Sequence, residues 1–394
     1  MDQHIPASLS DNAANLPESG IRKMFNLAEE QDDDLVRLEL GEPDFDTPEH
    51  IVDAAYEAAQ NGATRYTHSA GMPKLRKAVA EMTQESGRKT DSASEVLITT
   101  GAIEAIYFAL LTTTNPGEEV IVPTPAWSSY YTQAKALGIN LTEVPMPEDE
   151  GFDISPDRLS NAITDETSCV IINTPCNPTG QVYGEEDLKE VVEIANENGS
   201  YVIFDIVYEN LSYTDKSPNI SAIADDANNV LLAHSFSKTY AMTGWRVGWL
   251  IGPEPIIDAG AKLHQATTSC VSSVSQHAAL AALNGPQTPS TEMYQAFQSR
   301  RDYFVKRVDS IPEITCANPQ GTFYAFPNVS ALEGSSFEIA KRLLLEYGVV
   351  TVPGTSFGAA GSGYLRLSFA NSMEQLELAL DRLEEMVYDE LKIS

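Results

Sequence analysis

Residues with catalytic chemistry stand just after short apolar runs of this sequence. Asp205 ends the run YVIFD, Asn177 follows SCVIINT, and Lys238 follows NVLLAHS. If these runs are parallel strands, their carboxyl ends meet at one edge of a sheet, where open α/β proteins bind ligands. A lysine amine there can form an imine with an aldehyde, and a carboxylate can pair with a ring cation.

A second group of residues suits a phosphate. The run EVLITT is followed by a turn that opens a helix, and free N–H groups at a helix N-terminus bind anions. Hydroxyls and a forked guanidinium complete the set. The predicted phosphate ligands are Gly101, Ala102, Ile103, Ser235, Ser237 and Arg246. Trp127 is placed to stack on a ring, so phosphate, pyridinium and aldehyde together indicate pyridoxal 5'-phosphate (PLP).

The elements that must position these residues alternate along the chain. Short, continuously apolar runs are separated by amphipathic helical stretches, which is typical of a mostly parallel sheet covered by helices on both faces. The seven predicted strands are EVLITT (95–100), EEVIVPT (118–124), NLTEVPM (140–146), SCVIINT (168–174), YVIFD (201–205), NVLLAHS (229–235) and RVGWLIG (246–252). We therefore predict an α/β fold with a seven-stranded, mostly parallel sheet.

Three segments are predicted to make up the chain. Residues 1–48 form an N-terminal arm and part of a small domain, residues 49–290 a large cofactor-binding domain, and residues 291–394 the rest of the small domain. Helices are expected near 291–310, 336–347 and 373–391, with strands in 321–327, VVTVP and GYLRLSFA. The small domain is thus an α+β unit built from both chain ends. Thr47 is expected to cap the helix that follows it.

Composition limits the class of protein. The 394 residues contain 57 acidic and 25 basic side chains, a net charge of −32, which opposes binding to nucleic acids or anionic membranes. No apolar run is long enough for a membrane span, and no secretory signal is visible. The four cysteines and six histidines lack metal-ligand spacing, so no metal site is predicted. A cytoplasmic protein is expected, and the scattered acids suggest a halophilic one whose surface needs screening by salt.

Seven motifs together resemble the class I aminotransferases of PLP fold type I. SFSKTYAMTGWRVG (235–248) resembles their lysine-attachment signature, and the other motifs follow the family order from about residue 20 to the end. These are LELGEPDFDTP, TRYTHSAG, TTGA, NTPCNPTG, FDIVYEN and GYLRLSFA. The opening SGIRKMF is similar to archaeal aromatic aminotransferases, so the resemblance is strongest to archaeal aromatic and aspartate-type members.

The resemblance implies catalytic roles around the cofactor. Lys238 would bind the PLP aldehyde covalently and then shuttle a proton. Asp205 would keep the pyridine nitrogen protonated. Tyr208 and Asn177 would hydrogen-bond the ring oxygen.

The resemblance also implies cofactor contacts from outside the strand ends. Trp127 would stack on the ring, and Arg246, eight residues after the lysine, matches the family's phosphate arginine. Tyr66 would reach the phosphate of the partner subunit's cofactor. A homodimer with shared active sites is therefore expected.

Substrate contacts are implied in the same way. Arg366 matches the arginine that grips the substrate α-carboxylate, and Gly41 would let the backbone approach the substrate. Trp127, Asn177 and Ile21 would complete the substrate site. The implied reaction moves an amino group from an L-amino acid to a 2-oxo acid such as 2-oxoglutarate by a ping-pong mechanism.

The resemblance implies the substrate preference through two positions, Ile103 and Ile21, the second of which stands where family members line the side-chain pocket. Aspartate-preferring members have a lysine two residues beyond the TTG glycine, where this chain has Ile103. Burying a carboxylate beside isoleucine is unfavourable, so a broad preference for apolar or aromatic donors is expected. The alternative is an aspartate aminotransferase in which Arg22, Lys23 or a partner-subunit cation supplies the charge.

Three other functions are compatible with parts of the sequence. A PLP-dependent lyase could use the same fold, and a binding module could keep the fold without turnover. GTSFG (354–358) fits the GxSxG pattern of serine hydrolases, but the glycine-rich segment after it does not predict the helix that a nucleophile elbow must enter.

Overall fold

The computed structural model describes residues 11–14, 16, 19–31, 34–225 and 227–392. Its α-helices are α1 (Asp11–Ala14), α2 (Gly20–Glu29), α3 (Glu49–Gln60), α4 (Pro73–Glu85), α5 (Ala102–Thr113), α6 (Ser128–Leu137), α7 (Pro156–Ala162), α8 (Glu185–Glu197), α9 (Ile220–Asp225), α10 (Glu254–Thr267), α11 (Ser273–Asn284), α12 (Thr288–Val308), α13 (Ser336–Tyr347) and α14 (Met373–Leu391). Its strands are β1 (Val36–Arg37), β2 (Val96–Thr99), β3 (Glu119–Thr124), β4 (Asn140–Pro145), β5 (Thr167–Asn173), β6 (Tyr201–Asp205), β7 (Val230–Ser235), β8 (Gly248–Ile251), β9 (Tyr324–Ala325), β10 (Val349–Val350), β11 (Val352–Pro353) and β12 (Leu365–Ser368).

Within the described ranges, seven strands form one sheet in the order β2-β8-β7-β6-β5-β3-β4. The neighbours from β7 to β4 pair in parallel, whereas β8 runs antiparallel to both β2 and β7. This confirms the predicted mostly parallel sheet. The carboxyl ends of β5, β6 and β7 consequently lie side by side at one edge.

Helices cover both faces of this sheet, which explains why its strands are apolar without interruption. Successive side chains of a strand point to opposite faces. In β5, Val170 and Ile172 therefore pack into the core cluster that contains α4 and α11 residues. Cys169 and Ile171 pack into the cluster that contains residues of α5 and α6.

Both chain ends form a second unit beside the large sheet. Strand β1 pairs in parallel with β10, and β12 lies between β11 and β9 in a small antiparallel sheet. A separate apolar cluster joins residues from the two ends of the chain, including Met24, Leu38, Phe304, Leu343 and Leu383. The predicted boundaries at residues 48 and 290 remain predictions, and residues 1–10, 15, 17–18 and 32–33 of the first predicted segment lie outside the described residues.

Local details differ from the sequence expectations in three places. The segment 321–327 contributes only the two residues of β9, and VVTVP is divided between β10 and β11. Thr47 does not cap α3: Pro48 occupies the N-cap position without a side-chain cap. The Thr47 hydroxyl donates instead to the carbonyl of Ala241, 2.6 Å away. No helix in the described ranges is long and apolar enough to cross a membrane.

Candidate active site

A cavity of about 280 Å³ opens at the carboxyl ends of β5, β6 and β7, where the second unit closes over the sheet. Its lining residues are Ile21, Gly41, Ala102, Ile103, Trp127, Asn173, Asn177, Asp205, Val207, Tyr208, Ser235, Ser237, Lys238, Arg246, Tyr324 and Arg366. The predicted site residues meet here, with the exceptions of Gly101, which lies directly behind the lining, and Tyr66.

Asp205 is a buried carboxylate at the end of β6. Its Oδ2 accepts a 2.6 Å hydrogen bond from the Tyr130 hydroxyl, and its Oδ1 accepts a longer one from the Val207 amide, at 3.4 Å. Removal from water raises the pKa of this carboxyl to about 6, against the opposing influence of Tyr130 and the nearby Lys238 cation. A buried carboxylate of this kind is stabilised by a cation in the cavity.

Lys238 projects its amine into the same cavity. The Nζ donates to the carbonyl oxygen of Gly41 and lies 5.9 Å from the Tyr208 ring centre and 5.7 Å from that of Phe323. Burial lowers the pKa of the amine to about 8, and the neighbouring Arg366 and Arg246 cations act in the same direction. A substantial fraction of the amine is therefore neutral near physiological pH and available as a nucleophile or base.

An anion cradle lies between α5 and the loop after β7. Gly101 has a φ of 79° as it opens α5, and a Cβ there would lie 2.6 Å from Nη2 of Arg246. Gly248 is equally confined, since its Cβ would lie 2.8 Å from the Ala102 nitrogen. The amide of Ser237 donates to Oγ of Ser235 at 3.0 Å, which keeps both serines in this loop.

Arg246 is the cation of the cradle. It is exposed, and Nη1 donates to the Thr243 carbonyl at 2.7 Å. It forms no ion pair with any carboxylate in the described part of the chain. An unpaired guanidinium beside a helix N-terminus is suited to a phosphate.

Arg366 lies on β12 on the opposite side of the cavity and is only 2% exposed. Nη2 donates to the carbonyl of Glu39 at 2.6 Å, and Nη1 donates to Oδ1 of Asn177 at 3.2 Å. Its Nε finds no hydrogen-bond partner among the described residues, and no described carboxylate pairs with it within 4.0 Å. A buried, unneutralised guanidinium that lines a cavity is a site for a carboxylate ligand.

Tyr208 and Asn177 also line the cavity that contains Arg246 and Arg366. Both are buried, and the Tyr208 hydroxyl is 3.0 Å from that of Tyr324. The Asn177 amide donates to Oδ1 of Asn173 at 2.7 Å, which fixes the NTPCNPTG loop against the end of β5. Burial raises the pKa of the Tyr208 phenol well above its ordinary value, so it is a hydrogen-bond donor at neutral pH.

The rim of the cavity carries aromatic and aliphatic side chains. Trp127 is half-buried at the start of α6 and packs edge-on against Tyr130, with ring centres 5.5 Å apart. Ile21 and Ile103 line the opening, and Ile103 remains 39% exposed. Among the described residues, the cations that line the cavity are Lys238, Arg246 and Arg366; Arg22 and Lys23 are not part of its lining.

Tyr66 lies outside this cavity and is 86% exposed. The structure therefore does not bring it to the Lys238 of its own chain. Its predicted role in a partner's site remains a prediction.

Sequence reasoning missed four residues of this site. Asn173 and Val207 line the cavity, Tyr324 faces both Tyr208 and Arg366, and Tyr130 bonds Asp205. A signal for Tyr130 was present in the sequence. It stands three residues after Trp127, and residues at that spacing share one face of a helix.

The GTSFG segment does not form a nucleophile elbow. Gly354–Phe357 is a short 3-10 helix, and a second 3-10 turn, Ala359–Gly361, follows it. The α-helix that a hydrolase of this type needs after its serine is therefore missing from the described segment. This geometry argues against the serine hydrolase alternative.

The cavity's residues fit PLP. The unpaired Arg246 beside the crowded Gly101 and Gly248 backbones suits the phosphate, and the buried Asp205 suits a ring cation. Lys238 offers a partly neutral amine for the aldehyde, and the unpartnered Nε of Arg366 leaves capacity for a second anion. Each charged part of the cofactor and of an amino acid thus has a counterpart in the cavity.

Comparison with known proteins supports this interpretation. Residues 33–383 match the family "Aminotransferase class I and II". The chain is 37% identical to the aspartate aminotransferase of Pyrococcus abyssi over 384 residues, covering 96% of this chain and 98% of that protein.

Two solved structures are similar to this chain over almost its whole length. One is the aspartate aminotransferase of Thermus thermophilus with maleate, at a TM-score of 0.92 and 35% identity, covering 96% of this chain and 99% of the other. The second is the aromatic aminotransferase of Pyrococcus horikoshii, at a TM-score of 0.88 and 36% identity, covering 95% of this chain and 100% of the other. This chain belongs to the class I and II aminotransferase family and is a PLP-dependent aminotransferase.

Proposed function

We propose that this enzyme transfers the amino group of an apolar or aromatic L-amino acid to a 2-oxo acid such as 2-oxoglutarate by a ping-pong mechanism. The observation that carries the proposal is the cavity itself. It holds a partly neutral lysine, a buried carboxylate and a buried unpaired guanidinium, which are Lys238, Asp205 and Arg366.

The cofactor contacts follow from the fit described above. The N-terminus of α5, including the Gly101, Ala102 and Ile103 backbone, would hold the phosphate together with Ser235, Ser237 and Arg246. When bound, PLP supplies an aldehyde that takes up the amino group and a cationic ring that accepts electrons. Asp205 would keep the ring nitrogen protonated, while Asn177 and Tyr208 donate to the ring oxygen and Trp127 stacks on the ring.

Side chains of this protein would orient the substrate and move its proton. Arg366 grips the α-carboxylate of each amino acid and each oxo acid in turn, so both half-reactions share one anchor. Gly41 would let the substrate approach the backbone closely. A side chain at this position would clash with the Tyr324 hydroxyl, which would lie 2.6 Å from its Cβ. The neutral Nζ of Lys238 then accepts the proton from the substrate Cα, which its pKa of about 8 permits.

A homodimer would complete the site. Tyr66 is a large aromatic side chain that is 86% exposed, and Tyr56 and Val52 on α3 are also exposed. Exposed apolar side chains of this kind are typical of subunit interfaces. In such a dimer, Tyr66 would donate to the phosphate in the partner's site. We place this enzyme in the cytoplasm.

The aliphatic rim supports an apolar or aromatic donor. Ile21 and Ile103 line the opening where a substrate side chain extends, and a second carboxylate there would lose water without gaining a cation. Aspartate is the second candidate. It is favoured by the relatives, several of which are named aspartate aminotransferases.

Steady-state kinetics decides between the two donors. We expect kcat/KM with 2-oxoglutarate to be higher for phenylalanine and alanine than for aspartate. Ile103→Lys is expected to raise kcat/KM for aspartate relative to phenylalanine by about 2- to 5-fold, because an ion pair at this exposed position contributes about 0.5–1 kcal/mol. Ile103→Met, which keeps the rim apolar, is the matched control.

Three outcomes would contradict the proposal. A clear preference of the unaltered enzyme for aspartate would overturn the donor class and leave the aminotransferase chemistry intact. Release of ammonia or pyruvate without formation of a new amino acid would instead identify a lyase. A protein that gains no visible absorbance with PLP would overturn the cofactor site altogether.

A further inference from the structure

Tyr324 is a buried residue that the proposed mechanism leaves without a role. It lies on β9, is 1% exposed, and lines the cavity between the Tyr208 and Arg366 side chains. Its amide donates to Oγ1 of Thr322 at 3.0 Å, and the Thr322 carbonyl accepts a hydrogen bond from the Tyr213 hydroxyl. The backbone beneath Tyr324 is therefore held from two directions.

The hydroxyl of Tyr324 makes a specific contact with Tyr208. The two phenol oxygens lie 3.0 Å apart in a buried setting, where an unmade hydrogen bond is unfavourable. A phenol has one proton to donate. If Tyr208 donates to the ring oxygen of the cofactor, its own oxygen is left to accept, and the Tyr324 hydroxyl is the donor in place to serve it.

The ring of Tyr324 makes a second contact, with Arg366. The guanidinium carbon lies 4.3 Å from the ring centre, within the range of a cation–π interaction, and the Phe357 ring lies 5.1 Å away. A Cβ on Gly41 would lie 2.6 Å from the Tyr324 hydroxyl. Glycine at position 41 thus provides the space that this hydroxyl occupies.

We infer that Tyr324 is a positioning residue whose hydroxyl directs the Tyr208 proton toward the cofactor oxygen and whose ring supports the Arg366 guanidinium. This inference rests on the proposed function. The hydroxyl of Tyr324 contacts Tyr208, which would tune the cofactor, and its ring contacts Arg366, which would bind the substrate carboxylate. Tyr324 therefore connects these two residues. Each end has its own measurable consequence.

Tyr324→Phe tests the hydroxyl. Donation from Tyr324 polarises the Tyr208 hydroxyl and strengthens the hydrogen bond from Tyr208 to the cofactor ring oxygen. This hydrogen bond competes with the imine proton for the same oxygen. Loss of the donor is therefore expected to raise the pH midpoint of the visible absorption band of the PLP-loaded protein by about 0.2 to 0.7 pH units. Tyr294→Phe, in the same apolar cluster with its ring against Tyr213, is the control and is expected to leave the midpoint unchanged.

A double-variant cycle shows whether the effect passes through Tyr208. Tyr208→Phe alone is expected to raise the midpoint more than Tyr324→Phe does. Adding Tyr324→Phe to Tyr208→Phe is then expected to cause no further shift, because the intermediary is gone. An unchanged midpoint in Tyr324→Phe, or additive shifts in the double variant, would overturn the role of the hydroxyl.

Tyr324→Leu tests the ring. The dissociation constant of 3-phenylpropanoate, a carboxylate without a reacting amino group, is measured by its effect on the spectrum of the PLP-loaded protein. Tyr324→Leu is expected to raise this constant about 3- to 30-fold, whereas Tyr324→Phe changes it less than about 2-fold. Equal binding by unaltered protein and a folded Tyr324→Leu variant, as judged by circular dichroism, would overturn the role of the ring.

Failure of this inference is distinguishable from failure of the proposed function. If the unaltered protein develops no visible band with PLP, the proposed function is wrong. If it develops a band that titrates with pH but Tyr324→Phe titrates identically, only the inference about the hydroxyl is wrong.

Discussion

Replacing Asp205 with asparagine is expected to stabilise the cofactor-free protein at neutral and alkaline pH. Burial raises the pKa of the Asp205 carboxyl from 3.8 to about 6. A raised pKa means that the folded protein binds this proton more tightly than the unfolded chain does. The free energy of unfolding contributed by this bound proton is therefore fully present below about pH 4 and is lost as the pH rises through about 6.

The size of the effect follows from the same difference. A pKa that rises from 3.8 to about 6 corresponds to a loss of about 3 kcal/mol of unfolding free energy when Asp205 is fully ionised. About half of this loss is already present near pH 5. Asp205→Asn keeps the shape and can still accept from the Tyr130 hydroxyl, but it carries no charge. The variant's advantage over the unaltered protein should grow by about 1.4 kcal/mol between about pH 5 and pH 8.

Urea unfolding of both cofactor-free proteins, followed by circular dichroism at constant high salt, measures this difference. Glu197→Gln is the control, because this carboxylate lies at the end of α8, away from the cavity. The same Asp205→Asn variant should lose most of its transamination activity, since its ring-facing charge is gone. A constant stability difference across this pH range, or a variant that becomes relatively less stable at high pH, would refute the reasoning.

Three further predictions concern other parts of the molecule. Arg366→Lys keeps the positive charge but loses the two-pronged guanidinium, so KM for the amino donor should rise about 30-fold or more while the cofactor spectrum stays unchanged. Arg342→Lys, at an ion pair with Glu390, is the control. Gly248→Ala would place a Cβ 2.6 Å from the His234 carbonyl and should weaken PLP binding about 10-fold or more, as measured by absorbance titration, whereas undiminished affinity would contradict the cradle. With a net charge of −32, the melting temperature should rise from low to molar KCl, and a flat response in a thermal scan would argue against a halophilic surface.

The large sheet could be predicted from the sequence because most of its strands are continuous apolar runs with turn residues at both ends; the edge strand β4, NLTEVP, is the exception. The helices α13 and α14 were predicted with the bounds that the structure has. Their N-caps, Ser335 and Ser372, accept from backbone amides three residues on, and Glu338 completes a capping box. Local sequence determines such ends, so local reasoning finds them.

Contacts between distant segments could not be predicted in this way. Tyr130 is 75 residues from Asp205 in sequence, and Tyr324 is 116 residues from Tyr208. Thr47 has the residue type of an N-cap, but a carbonyl 194 residues away takes its hydroxyl. In each case the partner is set by the packing of elements far apart in sequence, on the large sheet for Tyr130 and between the second unit and the sheet for Tyr324, which no spacing along the chain reveals.

The hydrogen bond between Arg366 and the Glu39 carbonyl has a consequence for biosynthesis. A nascent chain that has reached the end of α11 already contains Lys238, Asp205 and the cradle at Gly101. It still lacks Arg366, whose guanidinium bonds a carbonyl 327 residues earlier in the sequence. The residues proposed to bind the coenzyme are thus encoded ahead of the proposed carboxylate anchor. On a growing polypeptide, the residues proposed to hold the coenzyme are therefore made before the residue proposed to hold the amino acid.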